Sequence, residues 1–407
     1  MKYDIAITDV GITCSLGRGL PVVMQALKSN SSGLMKEDIQ GYLTAVGRVH
    51  GNLDADEKFS QTRDRGTLLA LDAASQTQGL FDYPSERLGV FWGVGLAGAH
   101  WIESSYRHSS NMHPPSISPW TIPAIMPNAT ASTLAMVYGI RGVCTTVSNA
   151  CASSAVAIGQ AMHAIQTGQV DAALVGGSDA MLVPGMLYAW NRMRVLARVS
   201  NKDPRFACQP FDQFRNGLCL AEGAACLVLE KYDQALRSNK NILARLTGFG
   251  QSCDAMDLTD PCIDGQVQAM NQALRSADLT PGDVGYVNAH ATGTQKGDLI
   301  EATAIRQVFG EYSKRCPISS VKSAIGHTMA AAGVIEAVIC IGVLSDAWIP
   351  PTRGLFQVDK ALEDLNLIAS EGVRAWRLQH LMSNSFGFGG VNASLLMSHA
   401  NAHQFTC

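Results

Sequence analysis

Two segments of the chain share an unusual pattern, a run of small residues that begins at a reactive side chain. Residues 152–168 follow Cys151, and residues 328–344 follow His327. Both runs carry few charges, which predicts two helices that are packed tightly on all sides. A repeated buried helix predicts an internal duplication, with Cys151 and His327 close to a pseudo-twofold axis.

The residues before Cys151 indicate how that cysteine could react. Residues 142–148 are β-branched and apolar, which predicts a strand buried on both faces. Cys151 would then lie at a helix N-terminus, where free N–H groups and the helix dipole favour a thiolate. From this segment alone, a nucleophile and a buried structural cysteine fit the pattern equally well.

Strand-like and helix-like segments alternate through both halves of the chain. This alternation predicts an α/β fold with a mostly parallel sheet covered by helices. Around residues 231–241 the charge rises and the apolar pattern breaks. We therefore predict an N-terminal half over residues 1–240, which carries the cysteine, and a C-terminal half over residues 241–407.

Composition limits the function classes. The chain has 407 residues, of which 47% are hydrophobic and 16% charged, so it can form a large core. A net charge of −3 argues against a general nucleic-acid binder. Eleven cysteines without a C-x-x-C pair suggest neither a disulfide framework nor a cysteine zinc site. The chain begins without a signal-peptide core, and its longest apolar run contains Glu336 and is too short to span a bilayer. We expect a soluble cytoplasmic protein.

A glycine motif in the N-terminal half has a simple structural explanation. Gly93, Gly95 and Gly98 fit G-x-G-x-x-G, but the region that follows lacks the acidic residue of a dinucleotide site. A tight exit from a strand is the favoured interpretation.

Three histidines lie just beyond that motif, at positions 100, 108 and 113. Their spacing matches no compact zinc pattern, and no cysteine or carboxylate completes a ligand set. We expect His100, His108 and His113 to be solvated loop residues, and we predict no metal site.

The C-terminal half supplies further candidate catalytic groups. His290 follows a predicted strand and enters a loop rich in hydroxyls, a favourable position in an α/β fold. Lys322 and His327 are delivered by a short turn, and residues 383–392 form a glycine loop whose N–H groups can approach a substrate. Either histidine could instead be structural, and the loop could be an ordinary turn.

Four segments carry these residues: VSNACASS, VNAHATGT, VKSAIGH and SNSFGFGGVNASL. Together they resemble the motif set of the β-ketoacyl-acyl carrier protein synthases of types I and II, and the resemblance runs along nearly the whole chain. It implies a thiolase-like fold, in which two βαβαβ halves stack as five α-β-α-β-α layers and the protein dimerises. A degradative thiolase would need a second cysteine in the glycine loop, which has none.

The resemblance also implies a reaction and its residues. Cys151 would accept an acyl group, and malonyl-acyl carrier protein would lose CO2 and attack that group as an enolate. The N–H groups of Cys151 and Phe388 would form the oxyanion hole, and His290 and His327 would stabilise the enolate. The remaining expected roles are an active-site lysine (Lys322), a supporting acid (Glu336), phosphopantetheine-binding hydroxyls (Thr292 and Thr294) and a gate (Phe388). No cofactor is expected beyond the phosphopantetheine of the carrier protein.

Several residues depart from the common pattern of that family. Ala291 replaces a usual glycine, Gln295 and Lys296 replace a small residue and a proline, and Thr121 replaces an aromatic residue. Candidate residues of the acyl pocket are Thr121, Ile122 and Trp190. We hypothesise a specialised synthase for a polyene or polyketide, as a homodimer or paired with a related chain-length subunit.

Basic residues suggest where an acidic carrier protein could dock. The candidates are Arg63, Arg65, Arg194 and Arg198. The competing hypothesis is a chain-length or scaffold subunit without turnover. Such a subunit lacks the nucleophile, whereas Cys151 is present here.

Overall fold

The computed structural model describes residues 4–39, 41–53, 57–78, 83–109, 117–199, 203–369, 371–376 and 378–402. Its strands are β1 (Ile5–Cys14), β2 (Gly17–Arg18), β3 (Leu34–Ile39), β4 (Tyr42–Gly47), β5 (Leu88–Val94), β6 (Cys144–Val147), β7 (Ala172–Asp179), β8 (Gly223–Lys231), β9 (Ala244–Cys253), β10 (Val284–Asn288), β11 (Ile318–Ser319), β12 (Trp348–Ile349), β13 (Val373–Arg374), β14 (His380–Gly387) and β15 (Val391–His399). Its helices are α1 (Leu20–Lys28), α2 (Glu57–Ser60), α3 (Arg65–Ala74), α4 (Ala99–Ser109), α5 (Thr121–Ile125), α6 (Ala129–Tyr138), α7 (Ser153–Gln166), α8 (Pro184–Arg192), α9 (Tyr232–Arg237), α10 (Ile263–Ala277), α11 (Gln295–Phe309), α12 (Lys322–Ile325) and α13 (Ala332–Asp346).

The main sheet repeats the same topology on both sides of its centre. From the centre outward, one side runs β1-β8-β7-β5-β6 and the other runs β9-β15-β14-β10-β11. In each half the first two pairings are antiparallel and the next two are parallel. β1 and β9 pair with each other and join the halves. The predicted internal duplication is confirmed.

The prediction of a mostly parallel sheet is wrong. β15 returns directly beside β14 through a tight turn, and β8 lies antiparallel between β1 and β7. The alternation of helix and strand patterns reports crossover connections. The alternation does not indicate which strands pair side by side in the antiparallel direction, without a crossover connection between them.

Helices cover and separate the two halves of the sheet. One hydrophobic cluster joins inner-facing strand residues to α7 and α13. Separate clusters lie on the outer faces, where α3 and α6 pack on one half and α10 and α11 on the other. The layer order is therefore α-β-α-β-α, as the thiolase-like fold requires.

Glycines permit the closest contacts between layers. A Cβ on Gly333 of α13 would lie 2.9 Å from both the Cβ and the backbone nitrogen of Ala155 in α7. A Cβ on Gly93 would lie 2.5 Å from the backbone nitrogen of Ser154. The first glycine of the motif, which lies within β5, therefore permits the close approach of this strand and a central helix.

The strand before Cys151 differs from its prediction. β6 covers only Cys144–Val147, and Cys144 is exposed. β6 is the last strand of the sheet and pairs with β5 on one side. It is a half-covered edge strand rather than a strand buried on both faces.

One helical stretch, Met329–Asp346, has the length and hydropathy to cross a bilayer. The fold buries 89% of it, because this stretch includes the central helix α13. Its apolar character is that of a core helix.

Candidate active site

Cys151 lies in a strained turn between β6 and α7. Ala150 has a φ of +48°, in the left-handed region that non-glycine residues rarely adopt. The hydroxyl of Ser153 holds this turn, since it accepts from the Asn149 N–H at 2.8 Å and donates to the Ala150 carbonyl at 2.6 Å. The turn places the cysteine just before the first residue of α7, with a side chain that is buried but borders a cavity.

Two histidines from the C-terminal half meet this cysteine. Nε2 of His327 lies 2.9 Å from Sγ of Cys151. The rings of His290 and His327 pack edge to face, with 5.3 Å between their centroids. The ligating atoms of all three residues lie within 4.8 Å of one another, close enough to share a metal ion or a single reacting group.

Backbone hydrogen bonds to two carboxylates fix the loop that carries His290. The N–H groups of His290 and Ala291 donate to Glu301, at 2.9 and 2.7 Å. Asp298 accepts from the next two amides, at 3.1 Å each. Sequence reasoning missed both acids. Their position in the first two turns of the helix that follows the loop was the available signal.

A buried ion pair lies beside the histidines. Lys322 and Glu336 form a salt bridge, and their side chains are 0% and 1% exposed. The amide of Asn288 donates a further hydrogen bond to Glu336, at 3.2 Å. Because each charge compensates the other, the pair can be held in the core next to the reacting groups.

Burial sets the protonation of the histidines. It lowers the pKa of both His290 and His327 well below the usual value, and the nearby Lys322 ammonium lowers each further. Both imidazoles are therefore neutral at pH 7 and can donate or accept one hydrogen bond at Nε2.

Burial opposes the thiolate that the N-terminus of α7 favours. Burial raises the pKa of the Cys151 thiol to about 12, and this outweighs the opposing influence of Lys322 and of the Phe388 and Cys151 amides. The free protein holds a thiol, because the loss of solvation exceeds what the end of the helix supplies.

The glycine loop brings backbone donors to the cysteine sulfur. The N–H groups of Phe388 and Cys151 both interact with this sulfur. The loop lies close because Gly387 has no side chain, and a Cβ there would lie 2.8 Å from the Asn149 carbonyl oxygen. The Phe388 ring stacks on Trp190 at 5.9 Å between centroids.

A cavity of about 430 Å³ opens above these residues. Trp190, Thr292 and Thr294 line it, as the sequence suggested. Thr121 and Ile122 do not belong to its lining in the single chain. Thr121 accepts a hydrogen bond from an indole, and Ile122 is 65% exposed on α5.

The four candidate docking arginines lie in different environments. Arg65 forms a salt bridge with the buried carboxylate of Glu222 at 2.6 Å, so a partner within the protein already neutralises its charge. Arg63 donates to a threonine hydroxyl at 2.8 Å. Arg194 and Arg198 are exposed and line a second cleft, beside the segment that borders the catalytic cavity.

The predicted solvated histidines need one correction. His100 lies in α4, where its Nε2 is buried and has no hydrogen-bond partner within the described ranges. Burial lowers its pKa. His108 belongs to the same helix, although its side chain is not described, and His113 falls outside the described residues.

Comparison with known proteins agrees with this site. The family models described as the N-terminal and C-terminal domains of beta-ketoacyl synthase match residues 3–235 and 243–356. The chain is 33% identical to "3-oxoacyl-[acyl-carrier-protein] synthase 2" of Coxiella burnetii, over 98% of this chain and 99% of that protein. It is 34% identical to "Nodulation protein E" of a Rhizobium species, strain N33, over 97% of this chain and 99% of the relative.

Solved structures of similar architecture include ketosynthases in complexes. A type II polyketide ketosynthase solved with its acyl-carrier protein, bound to the hexaketide, has a TM-score of 0.90 and 27% identity, covering 98% of this chain and 100% of that one. The ketosynthase ApeO of Xenorhabdus doucetiae, solved with its chain length factor ApeC, has a TM-score of 0.83 and 29% identity, covering 98% of each chain. The chain belongs to the β-ketoacyl synthase family, and it is a condensing acyltransferase.

Proposed function

We propose that the protein condenses an acyl group held on Cys151 with a malonyl unit on acyl carrier protein, giving a 3-oxoacyl thioester. The observation that carries this proposal is the convergence of two neutral histidines on one cysteine, with Nε2 of His327 at 2.9 Å from the sulfur. Backbone donors and a buried cation complete the surroundings.

The first stage loads the acyl group. The sulfur of Cys151 attacks the thioester carbonyl of the acyl carrier protein, and the amides of Cys151 and Phe388 receive the oxyanion. The carrier thiol then leaves with the proton that Cys151 gives up. Since the resting thiol has a pKa of about 12, this proton must move during the attack, and the departing carrier sulfur receives it.

The second stage forms the new carbon–carbon bond. Malonyl-acyl carrier protein loses CO2, and the electrons of the broken bond pass to an enolate whose oxygen accepts from His290 and His327 at Nε2. Neutral imidazoles suit this task because each can donate a hydrogen bond without a preceding proton transfer. The enolate carbon attacks the acyl carbonyl, the Cys151 thiolate leaves, and it takes up one proton from solvent to restore the thiol.

The test compares wild type with Cys151→Ala and Cys151→Ser. Mass spectrometry follows the acyl adduct on the protein, and product analysis follows condensation. We expect an adduct on the wild-type cysteine and none on the alanine variant. If wild type forms no adduct with any acyl-acyl carrier protein, the enzyme proposal fails and the scaffold alternative replaces it.

We also propose a specialised primer, such as a polyene or polyketide chain. The departures at Thr121, Gln295 and Lys296 support this, as does the likeness to ketosynthases solved with chain length factors. Carrier-bound primers of several lengths and degrees of unsaturation would test it. A preference for saturated primers of roughly C6–C14 would overturn the specialised reading.

An exposed apolar face supports a related chain as partner. Its exposed side chains are Trp120, Ile122, Met126, Met136 and Val137, which belong to α5, α6 and their flanking residues, and α6 packs against the edge strand β6. An apolar face next to a strand edge that no other described strand covers favours association. We propose that a second ketosynthase-fold chain, identical or related, covers it. Light scattering should show a dimer that Met136→Asp weakens, and a wild-type monomer that binds no such chain would contradict the proposal.

We place this reaction in a reducing, cytoplasmic compartment. Every cysteine among the described residues is free, including exposed Cys144 and Cys253. Acyl and malonyl units would arrive on the phosphopantetheine of the carrier, with no resident cofactor.

A further inference from the structure

The mouth of the catalytic cavity carries an ion pair that the condensation does not use. Lys296 at the start of α11 forms a salt bridge with Asp260, and the two side chains are 62% and 49% exposed. Both residues line the cavity that contains Cys151. The pair therefore lies where a substrate enters.

The partner of Lys296 belongs to a loop, residues 254–262, which we call the entrance loop. This loop is attached to the glycine loop. The Asp254 carboxylate accepts from Asn392 at 2.7 Å, and the Leu258 carbonyl accepts from the Gly389 N–H at 2.7 Å. The salt bridge to Lys296 joins the entrance loop to the opposite wall of the cavity mouth. Breaking it frees a cation there without disturbing these attachments.

The position of Lys296 follows the expected path of the phosphopantetheine arm. His290, Thr292, Thr294 and Lys296 all line the cavity, from its catalytic floor to its mouth. The two threonine hydroxyls lie 3.2 Å apart between the ends of this series. The six residue-to-residue steps from His290 to Lys296 can span at most ~20 Å. The arm presents its groups in the matching order, with the thioester first, amides next and the phosphodiester last.

Among the described charged groups at the mouth, Lys296 is the one that can attract an anion. Asp254, Asp257 and Asp260 line the mouth, and their carboxylates would repel a phosphodiester. Among the lysines and arginines in the described part of the chain, Lys296 is the one that lines the cavity. An ammonium on a flexible stem can leave one carboxylate and bind another anion without a backbone change.

We propose that Lys296 binds the phosphodiester of the phosphopantetheine arm, exchanging its contact with Asp260 for one with the phosphate. This rests on the proposed condensing function. Lys296 thereby acts as a positioning residue, since it draws the thioester towards Cys151 by holding the far end of the arm. Asp260 competes with the substrate for the same ammonium.

The test uses two acyl thioesters that differ only in the phosphate, acyl-pantetheine and acyl-phosphopantetheine. The readout is kcat/KM for transfer of the acyl group to Cys151, measured by mass spectrometry at low salt. We expect wild type to prefer the phosphorylated probe by about fivefold to tenfold, the size of one charge-assisted contact at a partly exposed site. Lys296→Gln should remove most of this preference through KM. Its effect on the rate with acyl-pantetheine, which carries no phosphate, should be much smaller.

Three further variants sharpen the result. Lys296→Arg should retain most of the preference, and Asp260→Asn should raise it about twofold by removing the competitor. Lys314→Gln is the matched control, because Lys314 forms an exposed pair with Glu311 beyond the other end of α11. It should behave as wild type. The proposal is overturned if Lys296→Gln affects both probes equally or affects neither. Failure of the condensing function would appear differently, as wild type that accepts neither probe.

Discussion

The two halves of the molecule share a topology and differ in how they use charge. In the N-terminal half, α7 follows a strained turn that carries an uncharged thiol. In the C-terminal half, α13 follows His327 and contains Glu336, which pairs with Lys322 in the core. Two more buried acids, Asp298 and Glu301, hold the His290 loop.

This difference shows that the fold determines where the ends of the two central helices lie, whereas their side chains determine the chemistry. The duplicated sheet brings the ends of α7 and α13 together, whatever side chains they carry. The nucleophile comes from the half whose turn is held by a serine hydroxyl, and the groups that polarise the substrate come from the half with a buried ion pair beside them. Disturbing charges in the C-terminal half should therefore cost most, and disturbing the surface of the N-terminal half least.

The largest effect is expected from Lys322→Ala. It leaves Glu336 buried without its cation, which should lower the free energy of unfolding by about 3–5 kcal/mol. Denaturant unfolding measures this. The double variant Lys322→Met/Glu336→Leu should recover most of the stability and remain inactive. Equal instability of the single and double variants would mean that the pair is not what stabilises this half.

Glu301 should make stability depend on pH. Burial raises its pKa from 4.5 to about 7, so the folded protein holds this proton more tightly than the unfolded chain does. Stability contributed by this group is present below pH 4.5 and is lost as the pH rises through 7, by on the order of 3 kcal/mol. Glu301→Gln should flatten this slope in unfolding curves measured from pH 4.5 to 7.5.

The exposed Glu363→Gln offers a control for that experiment, since it should keep the wild-type slope. If Glu301→Gln keeps it as well, the acid is ionised throughout and the charge of the His290 loop has been misassigned.

Gly333→Ala tests the junction of the halves. Its methyl group would lie 2.9 Å from Ala155 and 3.0 Å from the Ser385 hydroxyl, so we expect a loss of about 1–3 kcal/mol. Gly342→Ala lies in the same helix but meets the flexible side chain of Met24. It should be nearly neutral, because the gain in helix propensity offsets the crowding. Equal thermal stability of both variants would show that the central helices can move apart.

The smallest effect belongs to the surface of the N-terminal half. Arg194→Glu should raise KM for acyl carrier protein roughly two- to tenfold and make it respond differently to salt, with kcat unchanged. Arg237→Glu on α9, also exposed, serves as control. Steady-state kinetics at two ionic strengths measures KM for both variants. The same KM and salt response in the two variants would show that Arg194 is not part of the docking surface.

Local patterns predicted the parts of the structure that depend on local sequence. The small-residue helices after Cys151 and His327, and the loop after His290, could be identified because period, branching and glycine content are properties of neighbouring residues. The same reasoning predicted the duplication. The boundary at residue 240 stays a prediction.

What failed depends on contacts between distant segments. The antiparallel position of β8 and the exposed edge of β6 follow from sheet order, which periodicity does not report. The thiol state of Cys151 follows from burial, which only the packed structure defines. Lys296 was noticed as a departure, but its pairing with Asp260 joins segments that lie far apart in the sequence.

The pairing of β1 with both β8 and β9 has a consequence for how this chain is made. Its first strand lies at the centre of the finished sheet, and β8 and β9, which pair with it there, are synthesised more than 200 residues later. Until Ala244–Cys253 leaves the ribosome, the first residues of β1, which pair with β9 in the finished sheet, lack that strand on one edge. A nascent or truncated N-terminal half would therefore present an open strand edge, the kind of surface on which chains aggregate. The two halves share a topology, yet they complete their folding together.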